Sequence, residues 1–338
     1  MAMTKWMLLA LILILPLLAA GQQKPQYSQY MLNNYLLNPA IAGIEDYADI
    51  KIGARNQWSG MEDAPNTFYL SAHTRLTKKN IGTSSSSIER KTPAFAAERE
   101  QRSTYRNENF KPRHGVGLLV MHDQLGPFVR TEASFSYAYH MPLTKDIKVA
   151  AGVAVGVTQL NLAGSSLHFA NPADAAASDR SSWRPNLSSG LWLYSSEFYV
   201  GVSAAELLGN SLLFDGENGA AGEGRTHLFV TGAYKLAVSE RFALIPSLMV
   251  KWLRPLPVSV DYNLRALYNN RIWAGVSYRQ KDSMAFLAGL TLTHTFDLGY
   301  AYDAGISDLS SISGGSHEVV LGIRLLNKRK VLCPSNLW

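Results

Sequence analysis

Residues 148–158 read Lys-Val-Ala-Ala-Gly-Val-Ala-Val-Gly-Val-Thr. Val149, Ala151, Val153, Val155 and Val157 alternate there with Lys148, Gly152, Gly156 and Thr158. Successive side chains of an extended chain point to opposite faces, so this period of two describes a strand with one apolar face. The same pattern recurs in both directions along the chain. Ala48, Ile50, Ile52 and Ala54 alternate with Asp49, Lys51, Gly53 and Arg55. Phe68, Leu70, Ala72 and Leu76 alternate with Tyr69, Ser71, His73 and Arg75. Val258, Val260, Tyr262 and Leu264 alternate with Ser259, Asp261, Asn263 and Arg265, and Val319, Leu321, Ile323 and Leu325 with Glu318, Gly322 and Arg324. No apolar stripe of helical period runs for any length.

The pattern predicts about fourteen strands. They lie near 46–57, 66–76, 114–123, 128–140, 147–160, 187–195, 197–204, 227–238, 242–253, 258–268, 272–280, 284–292, 296–303 and 317–325. Every second connection is very short (Pro142 to Asp146, Ser195 to Glu197, Ser239 to Arg241, Tyr268 to Arg271 and Thr293 to Thr295), except Thr77 to Arg113, a polar insertion that parity assigns to the same, periplasmic side. The alternate ones are mostly longer: Trp58 to Pro65, Asn161 to Asn186, Glu206 to His227 and Gly305 to Ser316. A soluble sandwich has no reason to sort its loops by parity. A transmembrane barrel does, with tight periplasmic turns and longer outer loops. The expected fold is therefore all-β: a transmembrane antiparallel outer-membrane β-barrel with an N-terminal segment ahead of it. An even strand number returns both barrel termini to the periplasm. Trp58, Trp192, Trp252 and Trp273 fall near predicted strand ends, where interfacial aromatic girdles belong. Asp123-Gln124-Leu125-Gly126-Pro127 reads as a tight outer turn.

The chain has 338 residues, a net charge of +6 and 17% charged residues, against roughly 25% in soluble domains. With 47% hydrophobic residues it is neither disordered nor a bundle of membrane helices. The mild, dispersed positive charge gives no reason to expect nucleic acid. Lys5, the apolar run Trp6–Leu18 and Ala19-Ala20-Gly21 read as a signal peptide cut before Gln22, which implies export. The expected organisation is a signal peptide at 1–21, a periplasmic or plug segment at 22–45, a barrel at 46–325 and a tail at 326–338. A polar insertion at 77–113 interrupts the barrel. Residues 22–45 carry too many aromatic and apolar groups to hang free, including Tyr27, Tyr30, Met31, Tyr35 and Ile41. They are expected to fold back into the periplasmic mouth or the lumen.

Catalytic chemistry leaves no trace. Cys333 is the only cysteine, so neither an internal disulfide nor a cysteine-based zinc site is available. His122-Asp123 and His317-Glu318 are adjacent pairs, which face opposite ways on a strand and cannot chelate by themselves. Ser203 lacks the second glycine of a nucleophile elbow, and no phosphate-binding or dinucleotide fingerprint appears. No enzyme activity, cofactor or metal is expected. Polar residues on the inner face (Asp49, Lys51, Arg55, Arg75, Glu132, Asp261, Arg265, Arg279 and Glu318) would line the lumen, as wall or as a docking surface.

Several short blocks also occur in a characteristic order. They begin with Gln26-Tyr27-Ser28-Gln29-Tyr30-Met31, Asn38-Pro39-Ala40-Ile41-Ala42-Gly43, Arg55-Asn56-Gln57-Trp58, Ala64-Pro65 and Ser71-Ala72-His73-Thr74. His114-Gly115-Val116-Gly117, Asp123-Gln124-Leu125-Gly126-Pro127, Tyr137-Ala138-Tyr139-His140 and Gly201-Val202-Ser203 follow. Ser277-Tyr278-Arg279, Tyr300-Ala301-Tyr302-Asp303 and Ser316-His317-Glu318 close the series. In these blocks the chain resembles the PorP/SprF family of Bacteroidetes type IX secretion outer-membrane proteins. It departs from that family in the long insertion, in Leu325 where an aromatic residue commonly ends the last strand, and in the tail beyond it. The resemblance implies a non-enzymatic barrel in the outer-membrane lipid that works in protein secretion and gliding motility. Its implied partners are a secreted surface protein bearing a C-terminal sorting domain, or periplasmic ring proteins and peptidoglycan-binding lipoproteins of the type IX machine. A solute porin is the third reading. Residues expected to bind a partner or line the lumen are Tyr27, Gln29, Tyr30, Asn38, Pro39, Asp49, Lys51, Arg55, Trp58, Arg75, Asp123, Glu132, Arg279, Asp303 and Glu318.

Overall fold

The structure, a computed structural model, describes residues 28–76, 111–164, 178–209, 226–253, 256–280, 282–306 and 313–327. The signal peptide, Tyr27, nearly all of the insertion, Cys333 and the end of the tail lie outside them. The first seven strands are β1 (Ala48–Asn56), β2 (Asn66–Leu76), β3 (Arg113–Leu125), β4 (Phe128–Pro142), β5 (Lys148–Leu162), β6 (Arg180–Tyr194) and β7 (Phe198–Ala205). After them come β8 (His227–Tyr234), the two-residue β9 (Leu236–Ala237), β10 (Phe242–Trp252) and β11 (Ser259–Tyr268). The last four are β12 (Ile272–Arg279), β13 (Ser283–Thr291), β14 (Phe296–Gly305) and β15 (Ser316–Leu325). All pairings are antiparallel and join neighbours in sequence, except that β8 and β9 both pair with β10, and β1 pairs with β15 from Ala48↔Leu325 to Asn56↔His317. That last pairing closes the sheet. Because β9 only extends β8 past Lys235, the barrel has 14 staves.

The alternation is inverted relative to a soluble core. Outward residues such as Phe68, Val155, Leu191, Tyr262 and Val319 are exposed, whereas inward Asp49, Arg55, Glu132, Asp261 and Glu318 are buried. This is the arrangement lipid demands, since a cation facing the bilayer midplane costs about 2–4 kcal/mol. The nine residues of β1 run about 30 Å, and a tilt near 40° leaves about 23 Å across, close to the height of an outer-membrane apolar band. Tyr139, Tyr234, Tyr268 and Phe296 lie toward one rim, and Trp252, Tyr262, Tyr278 and Tyr300 toward the other. Two tryptophans correct the expected girdle. Trp192 and Trp273 face inward and are buried, Trp192 stacked on Tyr199 with ring centroids 4.5 Å apart.

The pairing also gives the barrel a tall side. β4, β5 and β6 have 15 residues each, but β6 pairs with β7 only between Ser189 and Tyr194. The first part of β6 therefore stands beyond the end of β7, at the mouth that carries the longer connections. Sequence periodicity places the start of this strand near 187; the segment 180–186 has Ser181, Trp183 and Pro185 outward, which breaks the apolar alternation.

Residues 28–47 do not join the sheet. Three single-turn 3₁₀ helices, Tyr30–Leu32, Asn34–Leu36 and Pro39–Ile41, take them through the lumen. Asn38 starts the third by accepting from the Ala40 N–H at 2.9 Å, and Pro39 occupies its first position, where no amide hydrogen is needed. The wall is cut to fit. A side chain at Gly115, Gly152 or Gly190 would overlap Ala42, Ala40 or Asn38 respectively. The segment enters at the mouth where β1 begins. Its other end, Ser28, meets Glu318 near the start of β15 and Arg55 near the end of β1. Ser28 thus lies toward the opposite mouth, the one with the longer connections.

Candidate functional site

The lumen is the one place where the inward polar residues converge, and the segment 28–47 organises them. At the long-connection end, Arg55 donates to Asp303 at 2.7 Å and to Glu318 at 3.2 Å. The Ser28 N–H donates to Glu318 at 2.8 Å, its hydroxyl donates to Asp303, and the Gln29 amide donates to the Glu318 carbonyl at 2.9 Å. The side chains of Arg55, Asp303 and Glu318 are at most 4% exposed. One arginine between two carboxylates and a serine is tolerable at that depth only because the charges are paired and hydrogen-bonded. Beside it, Arg279 donates to Asp261 at 3.2 Å and to Asp282 at 3.1 Å.

Deeper in the barrel the contacts become neutral. Asn263 donates to the Tyr30 hydroxyl, and Asn33 donates to Ser71 at 2.9 Å. Asn34 donates to Tyr199 at 3.3 Å, and Tyr35 shares a 2.6 Å hydrogen bond with Ser136. Burial pushes the Tyr35 phenol up to about 12 against a smaller opposing effect of Ser136, and burial raises Tyr30 further. Both are neutral O–H groups at physiological pH. Asn38 donates to the carbonyls of Leu191 at 3.0 Å and Val202 at 3.2 Å, and Ser203 donates to the Leu37 carbonyl at 2.7 Å. His140 donates to the Ala42 carbonyl at 2.8 Å. At the other mouth Asp46 accepts from Arg75 at 2.7 Å and from Arg113 at 3.0 Å.

The residues singled out in the sequence therefore do not form one site. Gln29, Arg55, Asp303 and Glu318 meet directly. Trp58 borders the same mouth, with its backbone N–H donating to Ser316 Oγ at 3.2 Å. Tyr30, Asn38 and Pro39 belong to the lumen segment. Asp49 pairs with Lys51 at 2.7 Å on the far part of β1, and Arg75 lies at the opposite mouth. Asp123 accepts from Thr67 at 2.6 Å, and Glu132 accepts from Arg130 at 3.0 Å and Asn186 at 2.8 Å, on another part of the wall. Inward alternation alone points to Ser71, Ser136, His140, Ser203 and Asn263 as lumen residues. Nothing in the sequence pairs them with particular positions of the segment, nor Ser28 with Glu318. Among the described residues, no three His, Cys, Asp or Glu side chains converge as metal ligands.

Known proteins resemble the chain at two levels. A comparison with curated proteins gives no match. Among solved structures, the CymD monoaromatic hydrocarbon channel is 13% identical, with 90% of this chain and 93% of that one covered and a TM-score of 0.46. The Ralstonia pickettii toluene transporter TbuX is 10% identical, with 88% and 92% covered and a TM-score of 0.47. The Pseudomonas putida toluene transporter TodX is 11% identical, with 89% and 94% covered and a TM-score of 0.45. The family model for the type IX secretion system membrane protein PorP/SprF matches residues 19–323. With that match over nearly the whole chain, and with the closed 14-strand barrel it accompanies, this protein belongs to the PorP/SprF family of type IX secretion system membrane proteins.

Proposed function

We propose that this barrel holds a secreted surface protein at the outer membrane, binding its C-terminal sorting domain at the mouth that carries the longer connections. In this reading the short turns, and both barrel termini, face the periplasm after export by the signal peptide. The protein acts by binding and not by catalysis. Its family membership supports a role in secretion, and one observation favours binding over conduction: residues 28–47 of the chain run through the lumen, hydrogen-bonded to β2, β4, β6, β7, β11 and β15. A barrel whose lumen holds this segment offers a partner its rim first. The tall side formed by β4–β6 gives that rim a raised wall, with Trp183 66% exposed on it.

Crosslinking in the native cell, followed by purification of the tagged barrel and mass spectrometry, tests this. Recovery of one large secreted protein with a C-terminal sorting domain is the expected outcome. Recovery of periplasmic ring proteins and peptidoglycan-binding lipoproteins in its place would make the barrel a fixed part of the secretion and gliding machine. Recovery of the barrel alone under several crosslinkers would sink both readings.

A further inference from the structure

One side-chain arrangement occurs twice on the outer surface. On β3 and β4, His114 lies directly across from Tyr139 and accepts or donates a 2.6 Å hydrogen bond between its Nδ1 and the hydroxyl of Tyr137, two residues along. On β14 and β15, His317 lies directly across from Tyr302, and its Nδ1 shares a 2.8 Å hydrogen bond with the hydroxyl of Tyr300. The ring geometry repeats as well: each His centroid is 5.2 Å from the opposite tyrosine, and 6.0 or 6.2 Å from the diagonal one. In sequence both are Tyr-Ala-Tyr set against a histidine. The first lies at the short-turn rim, near the start of β3. The second lies at the opposite rim, near the start of β15. Each therefore sits at the edge of the apolar band, where lipid headgroups lie.

Packing alone does not ask for histidine at these positions. A tyrosine hydroxyl that donates to Nδ1 fixes the ring and leaves the ring N–H at Nε2. A held N–H donor at headgroup depth is complementary to a phosphate oxygen; the Tyr139 ring lies beside the first, whereas in the second cluster the Tyr302 hydroxyl donates to the Gly314 carbonyl at 3.3 Å, so the imidazole N–H is the donor common to both. We infer that the two His-Tyr-Tyr clusters are lipid-headgroup sites, one on each rim, each binding the phosphate of a membrane lipid. They would fix the height and tilt of the barrel in the bilayer. This role is independent of which protein partner the barrel carries.

Native mass spectrometry of the full chain in detergent, with added phosphatidylglycerol, reads the inference directly. The wild-type barrel should keep two lipids that survive detergent dilution. His114→Phe and His317→Phe should each lose one, with binding weakened about tenfold, the effect of one lost hydrogen bond of about 1.4 kcal/mol to a charged group. The double variant should keep neither. Gln at either position restores an N–H donor and should recover part of the binding, which a purely packing role would not produce. All variants lie on the surface, and their folding is checked by heat-modified gel mobility. Equal lipid retention by wild type and the double variant would overturn the inference. So would competition by inorganic phosphate as strong as by the lipid, since that would describe an anion site with no preference for the membrane.

Discussion

Arg55 is the residue on which the outer end of the lumen depends. It is in direct contact with both Asp303 and Glu318, and both carboxylates also receive Ser28. Arg55→Met keeps the bulk of the side chain and removes the charge, leaving two buried carboxylates facing each other. Breaking a buried pair in this way costs about 3–5 kcal/mol. The expected outcome is a large drop in the urea midpoint of unfolding, read as loss of the folded band on a gel. Adding Asp303→Asn and Glu318→Gln to Arg55→Met should recover most of the loss, because neutral amides need no counter-charge. If the single variant unfolds like wild type, the cluster is not a structural lock. The sequence shows all three residues as inward and polar, by alternation. It does not show that they meet, because the contact joins β1, β14 and β15 across 263 positions of chain.

At the scale of the element, the lumen segment is held by fit and by neutral hydrogen bonds, and each can be tested. Gly152 and Gly190 face Ala40 and Asn38 without a side chain between them. Gly152→Val and Gly190→Leu should drive the segment out of its seat while leaving the strands paired. Protease cleavage within residues 28–47 should rise by an order of magnitude or more, with unchanged barrel mobility on gels. The buried phenols supply the second test. Tyr35 titrates at about 12 in place of the ordinary 10.0, so the folded state holds a proton that the released state gives up in that interval. Its stabilising contribution is whole below pH 10.0 and is lost as the pH rises through about 12. Protease sensitivity of the segment should climb over that window, and Tyr35→Phe should flatten the climb. The strands themselves were legible because lipid outside and a polar interior impose a strict period of two. Legibility failed where that contrast fades. The start of β6 rises past the apolar band and carries Ser181 and Pro185. Trp192 and Trp273 look interfacial by position, but they face inward and are buried, Trp192 stacked on Tyr199 of the neighbouring strand. The segment's burial could be expected from its aromatic residues, whereas its path depends on glycines in strands far away in sequence.

The whole molecule is a closed 14-strand barrel with residues 28–47 of its own chain in the lumen, and conductance is the property that tells the proposed anchor from a conductor of solutes. Between the Asp46 cluster at one mouth and the Arg55 cluster at the other, residues 28–47 bridge the height of the wall and narrow the path through it. The intact protein in a planar lipid bilayer should show little steady conductance. Removing residues 23–43 takes out most of this segment and leaves Asp46 and the strands in place. A barrel of 14 staves emptied this way should conduct in steps at least an order of magnitude above wild type, with selectivity set by the exposed charges of the wall. Restoring the segment with Gly152→Val in the wall should give an intermediate, fluctuating conductance, because the seat is present but obstructed. Steady conductance by the intact chain equal to that of the deletion would mean that the lumen segment does not close the barrel, and the transport reading would then displace the anchor.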